Sequence, residues 1–197
     1  MHRDGYCLAT AGLDRTVKFW DLRKFGGPKS GSKRSSSSLS TSLEPTEPKG
    51  ALLGEHFNTL SVNSAIFSPS GEYMVATNMN NVLNVYHQAH LKVTASTGKN
   101  AGTTIVKPKY AIRHDNQTGR WLSTFMANWH PELDIFCVGS KDKPRAMDIF
   151  DGATGEHLRA VKGEALTAVA SRCAFHPSAN KIILVGGNSS GRVTVAQ

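Results

Sequence analysis

Cysteine is scarce. Cys7, Cys137 and Cys173 are the three present in 197 residues, widely separated and odd in number. A disulfide framework needs an even set at short spacings, and a zinc site needs Cys or His at close intervals. Both are excluded, and buried, reduced thiols are expected. No apolar run approaches the roughly 20 residues that cross a bilayer. The N-terminal segment also lacks the uninterrupted apolar core of a secretion signal. These absences read as a soluble, intracellular protein with no membrane partner. Acids are the other shortage, with Asp+Glu 15 against Lys+Arg 23 and a formal charge of +8. They are missing altogether from 22–43 and from 73–114. Such a balance favours anionic partners, nucleic acid or phospholipid headgroups, and says nothing about fold.

What is present is enough for a core: 39% of residues are hydrophobic, which excludes a wholly disordered chain, and the length suits one domain or most of one. A unit recurs along it. Residues 65–86 read AIFSPSGEYMVATNMNNVLNVY, 127–150 read ANWHPELDIFCVGSKDKPRAMDIF, and 174–195 read AFHPSANKIILVGGNSSGRVTV. Each is a strand, a Pro turn, a strand, a polar turn and a strand. From Phe67 to Tyr86 is 19 residues, from Trp129 to Phe150 is 21, and from Phe175 to Val195 is 20. Three hairpin-linked strands fit each interval. Pro69, Pro131 and Pro177 pre-set φ at the first turn, while Asn80, Asn81 and the 188–191 stretch tolerate positive φ at the second. A partial unit, CLATAGLDRTVKFW at 7–20, supplies the second and third strands. Its first strand would lie upstream of Met1, so the chain reads as truncated.

The units divide the chain into a partial blade at 1–23, a basic Ser-rich insertion at 24–50 and a blade at 51–90. A basic loop follows at 91–107, then blades at 108–160 and 161–197. The 24–50 insertion carries Lys29, Lys33, Arg34 and the run Ser35 to Ser38, a composition expected to be disordered. The fold class is all-β. About three and a half blades are present, whereas propellers close with about four to eight.

LATAGLDRTVKFWDLR at 8–23 resembles a WD repeat, with Asp14 at the turn and Trp20-Asp21 at the end. HDNQTGRWLSTF at 114–125, VGSKDKPRAMDIF at 138–150 and GGNSSGRV at 186–193 narrow the likeness. They resemble the family of WD repeat-containing protein 76 and the changed-mutation-rate DNA damage-binding proteins of fungi, in the C-terminal half of that family's propeller. A more distant similarity is to the small WD-repeat subunit of the UV-damaged DNA-binding complex. The resemblance implies a nuclear, non-enzymatic seven-bladed propeller that associates with DNA and chromatin. For some relatives it also implies service as a substrate receptor of a cullin-4 ubiquitin ligase. The third unit departs from the pattern, with Ile149-Phe150-Asp151 where a WD dipeptide is usual.

Blade strands run outward from a central channel, so loops joining the outer strand of one blade to the inner strand of the next share a face with the middle-strand turns. With 109–113 as an outer strand, the 114–122 loop and the 141–144 turn lie on that face. This gathers Arg113, Arg120, Trp121, Lys141, Lys143 and Arg145, with Arg192 on the turn of the next blade. The cations are candidate DNA phosphate contacts. Trp121, beside Arg120, is a candidate wedge that stacks on an exposed base or enters a weakened step. Unstacking is cheapest where DNA is damaged, which gives preference for structure without base reading. The plainer alternatives are a core role for Trp121, solvated cations, and pairing of Arg145 with Asp142 or Asp148.

By resemblance to WDxR ends that dock on the large damage-binding adaptor of cullin-4 ligases, Trp20, Asp21 and Arg23 are candidate adaptor contacts on the opposite face. Catalysis finds no constellation. GGNSSGR lacks the spacing and Lys of a phosphate loop and reads as a hairpin turn. His130-Pro131 and His176-Pro177 occupy the same turn in successive units and are structural by position. No cofactor, metal or small-molecule substrate is expected.

Overall fold

Short strands separated by turn residues assemble into four antiparallel sheets in a computed structural model that describes residues 1–25, 51–87, 105–177 and 182–197. The first sheet holds β1 (Cys7–Ala11), β2 (Thr16–Asp21) and β3 (Leu52–Phe57). The second holds β4 (Val62–Phe67), β5 (Tyr73–Asn78), β6 (Val82–His87) and β7 (Tyr110–Arg113). The third holds β8 (Asn128–Trp129), β9 (Ile135–Ser140), β10 (Ala146–Asp151) and β11 (His157–Lys162). The fourth holds β12 (Arg172–Phe175), β13 (Leu184–Gly187) and β14 (Val193–Ala196). The basic insertions expected at 24–50 and 91–107 fall almost wholly outside the described residues.

The turns follow their side-chain chemistry. Asp14 accepts from the Thr16 amide at 3.2 Å and from its hydroxyl at 2.6 Å, which supports positive φ at Arg15. Asn188 accepts from the amides of Ser190 and Arg192 at 3.1 and 3.0 Å around Gly191, whose φ is 79°. Gly71 also has positive φ, and a Cβ there would lie 2.6 Å from Nε2 of His2, so only glycine fits.

Alternation places successive side chains on opposite faces, and in the middle sheets both faces are buried. Val17, Phe19, Met74 and Tyr86 pack between the first and second sheets. Val75, Leu83, Val85, Phe136, Val138 and Phe150 fill the space between the second and third. Cys137, Met147, Ile149, Phe175 and Leu184 join the third to the fourth. Three cores therefore glue four blades, each large apolar side chain contributing about 1.5–3 kcal/mol by leaving water. The innermost strands β4, β8 and β12 touch in sequence and line the axis of a partial β-propeller. Among the described residues no helix is long and apolar enough to cross a membrane.

The sheets are offset by one strand from the sequence units. Leu52–Phe57, within the 51–90 unit, pairs with β2 and completes the first sheet. Tyr110–Arg113, at the head of the 108–160 unit, pairs with β6 and completes the second. These two units therefore lend their leading strands to the blade before, which ties neighbouring blades covalently.

Candidate nucleic-acid interface

The connection from β7 to β8 is tied down at its root. Asn116 is fully buried; its amide donates to the carbonyls of Asn78 at 2.8 Å and Val82 at 3.2 Å. That leaves Oδ1 to accept from Nδ1 of His114 at 2.7 Å, while the Asn116 backbone N–H donates to Oδ1 of Asn81 at 3.1 Å. The loop is thus moored on the β5–β6 turn. His114 packs edge-on against Phe125 and Phe150, and burial holds its imidazole below the usual range despite nearby carboxylates. Beyond this anchor the loop rises to Arg120 and Trp121. Trp121 is 86% exposed, which removes the core role weighed for it.

The predicted cations separate by their partners. Lys141 pairs with Asp115 at 2.8 Å and also donates to the Gln117 carbonyl, stapling the β9–β10 turn to the loop. Although burial works to raise the Asp115 carboxyl, hydrogen bonds from Lys141 and the Gln117 amide bring it below its ordinary value. Arg145 donates to the Lys141 carbonyl, and not to Asp142 or Asp148 as its alternative pairing had it. Arg192 donates to Oγ1 of Thr167 at 3.0 Å. Arg113, Arg120 and Lys143 have no side-chain partner among the described residues.

Arg113 and Lys143 line one cleft of about 820 Å³ between the second and third blades, together with Lys162 at the end of β11. Asp148 sits in its wall, accepting from Nε2 of His157 at 3.1 Å and facing Nε2 of His114 at 3.8 Å. Arg120 and Trp121 stand outside the cleft, on the loop above it. Lys162 and the exposed Arg172, at the start of β12, add to this face and were not read from the sequence. Their signal is the blade geometry: an outer strand ends, and an inner strand begins, on the face where the two connections lie.

On the first sheet, Trp20 is buried and donates through Nε1 to Oγ1 of Thr10 at 2.9 Å. Asp21 is buried as well and grips Arg23 by two hydrogen bonds of 2.9 Å. The Arg23 side chain, 65% exposed, lies over the Tyr6 ring at 5.1 Å. Of the three adaptor candidates, Arg23 therefore offers surface and the other two hold it in place. Its hydrogen bond is the largest influence keeping the Asp21 carboxyl below its usual value. Cys137 and Cys173 are buried and Cys7 half-buried, all as free thiols. Desolvation pushes the Cys7 thiol up to about 11, so it is no reactive thiolate. His130 is buried and accepts from the amides of Glu132 and Leu133, the structural part its position suggests. Among the described residues no group of His, Cys, Asp or Glu is arranged to hold a metal.

The family model "WD domain, G-beta repeat" matches residues 1–21. Across the rest, the recurrent three-strand unit and the stacked sheets continue the same architecture. The chain carries a WD repeat at its start. This WD-repeat chain is 32% identical over 192 residues to the DNA damage-binding protein CMR1 of Phaeosphaeria nodorum, covering 95% of the chain and 33% of the relative. It is 31% identical to cmr1 of Aspergillus terreus, covering 94% and 31%, and 34% identical to that of Neurospora crassa, covering 97% and 33%. The WD-repeat chain thus spans about a third of the length of the curated relatives it matches. These are the fungal proteins whose motifs the 114–125, 138–150 and 186–193 strings resemble. Among solved structures, it superposes on the computationally designed Ika4 protein with TM-score 0.54 at 16% identity, covering 97% of this chain and 84% of that one. That likeness concerns the fold alone.

Proposed function

We propose that this chain is a non-enzymatic DNA- and chromatin-binding module of the damage response, acting in the nucleus and preferring damaged or distorted duplex. The observation that carries the reading is the Arg120-Trp121 tip: a fully presented indole on a moored loop, beside cations left without protein partners. Names of relatives that contain "DNA damage-binding" support the same direction. Arg113, Arg120 and Lys143 neutralise backbone phosphates, and Trp121 enters or stacks at a weakened step. Lys141, Arg145 and Arg192 shape the surface with N–H groups already committed.

A salt titration on matched intact and UV-damaged duplexes tests this. Preference for damage that survives rising salt, and is lost in Trp121→Ala, is expected. Charge reversal at Arg120 should reduce the slope of log affinity against log salt by about one phosphate contact. Equal binding to both duplexes would reduce the reading to electrostatics, and no binding would overturn it. The Arg23 geometry favours a second reading, in which the opposite face docks the damage-binding adaptor of a cullin-4 ligase. A guanidinium fixed by Asp21 over an aromatic ring presents its free edge without the ordering cost of a loose side chain. Arg23→Ala should then abolish adaptor capture and leave DNA retention intact.

A further inference from the structure

The cations lining the cleft between the second and third blades are the ones the protein itself leaves unused. The side chains of Arg113, Lys143 and Lys162 have no hydrogen-bond or ion-pair partner among the described residues, and all three residues line the same 820 Å³ space. The cleft also holds His157, half-exposed, with Nε2 engaged by Oδ1 of Asp148 at 3.1 Å and Nδ1 open. Three lining residues are carboxylates. Asp115 is matched by Lys141 at 2.8 Å, and Asp148 lies between His157 and His114. Asp142 and Asp148 remain as acids without a cationic partner against three unmatched cations, so the lining is positive on balance. The floor is closed by the buried Ala146 and Phe150.

Shape and charge together select a ligand. A phosphodiester within a continuous backbone carries one negative charge and is flanked by sugars on both sides, so it lies along a surface. A phosphate monoester has a free end and carries about −1.5 to −2 at pH 7. A concave, cation-lined site whose rim groups are uncommitted suits the second. Arg113 supplies a planar fork for two oxygens, the lysines supply point charges, and the open Nδ1 of His157 is a further hydrogen-bonding atom beside them.

We propose that this cleft receives the terminal phosphate of an interrupted DNA strand, held by Arg113, Lys143, Lys162 and His157. The inference rests on the DNA-binding reading and adds to it the kind of damage recognised, a phosphorylated end at a nick or gap. The Arg120-Trp121 tip then occupies the adjacent step, where stacking is already interrupted.

Three duplexes of one sequence decide it, used with the full chain: intact, nicked with a 5′-phosphate, and nicked with a 5′-hydroxyl. The phosphorylated nick should bind about tenfold more tightly than the hydroxyl nick, the size of one good charge-assisted contact. That preference should collapse toward parity in Arg113→Gln and in Lys162→Gln, whereas Trp121→Ala should weaken both nicked duplexes together and leave the ratio between them unchanged. All three side chains are exposed, and an unchanged urea midpoint verifies folding. Parity between the nicks in the unmodified chain overturns the cleft assignment while leaving DNA binding standing. Absence of binding to every duplex overturns the DNA-binding reading itself. A nucleoside monophosphate serves as competitor: displacement only at great excess supports a strand end as the ligand, and displacement at equal concentration overturns it in favour of a free nucleotide.

Discussion

Trp121 separates function from stability more cleanly than any other side chain here. At 86% exposure it contributes almost nothing to the core, so Trp121→Ala should leave the urea midpoint within about 0.5 kcal/mol of the parent. Lost base stacking is worth about 1–3 kcal/mol, roughly five- to 150-fold in affinity for distorted DNA, read by fluorescence anisotropy. A fall in stability with unchanged affinity would return the indole to a structural role. The sequence marks the loop as basic and aromatic, and the resemblance points to the same string. It does not reveal which cations are spoken for. Lys141 and Lys143 are two residues apart with the same chemistry, yet one is stapled to Asp115 and the other is free. That distinction is set by which side of the turn meets the 114–127 connection, a tertiary fact with no local signature.

At the scale of the element, the connection after β7 behaves as a rigid platform because of two buried groups. Asn116→Ala removes the donor from the Asn78 and Val82 carbonyls and the acceptor from His114. Leaving such buried groups unmatched costs about 1–3 kcal/mol each in the worst case, so the urea midpoint should fall and amide exchange in 114–122 should quicken. A variant as stable as the parent would show that the loop is held elsewhere. His114 adds a pH dependence whose sign follows from burial. Its folded value lies below the ordinary 6.5, so under acid conditions the unfolded chain binds a proton that the folded chain refuses. The stability this supports is complete above pH 6.5 and is lost as pH falls toward the lower folded value. Unfolding measured from about pH 7 to 5 should be less pH-dependent in His114→Gln than in the parent. The strands themselves were legible, because Pro and Asn turns punctuate every unit and the apolar alternation is strong. The outer-strand role of 109–113 was legible too, from the blade pattern, and β7 fills it. The pairing of β3 with β2 was not: a long basic stretch separates the two strands, and pairing across such a gap leaves no mark in local composition.

For the molecule as a whole, the three cores between blades make interior sheets self-sufficient and leave the last sheet half-covered. Leu184, Cys173 and Phe175 face the third blade and are buried. Val193 and Val195, on the edge strand β14, are 66% and 65% exposed. An uncapped edge strand offers unpaired N–H and C=O groups to any neighbouring chain, and β-branched side chains beside it add apolar area to the contact. The relatives span about three times this chain's length, so in proteins of that size further polypeptide is available to cover such a surface. Taken alone, the 197-residue chain should self-associate at micromolar concentration through β14. Val193→Lys with Val195→Lys places charge on the strand that natural edges use as a guard, and should shift sedimentation velocity toward monomer without lowering the unfolding midpoint. The reasoning turns on where the exposed valines lie. Were the association driven by the basic upper face bridging polyanions, nuclease treatment and high salt would dissolve it and the lysine pair would make it worse. Opposite responses to the same two substitutions therefore tell an open sheet edge from an electrostatic aggregate.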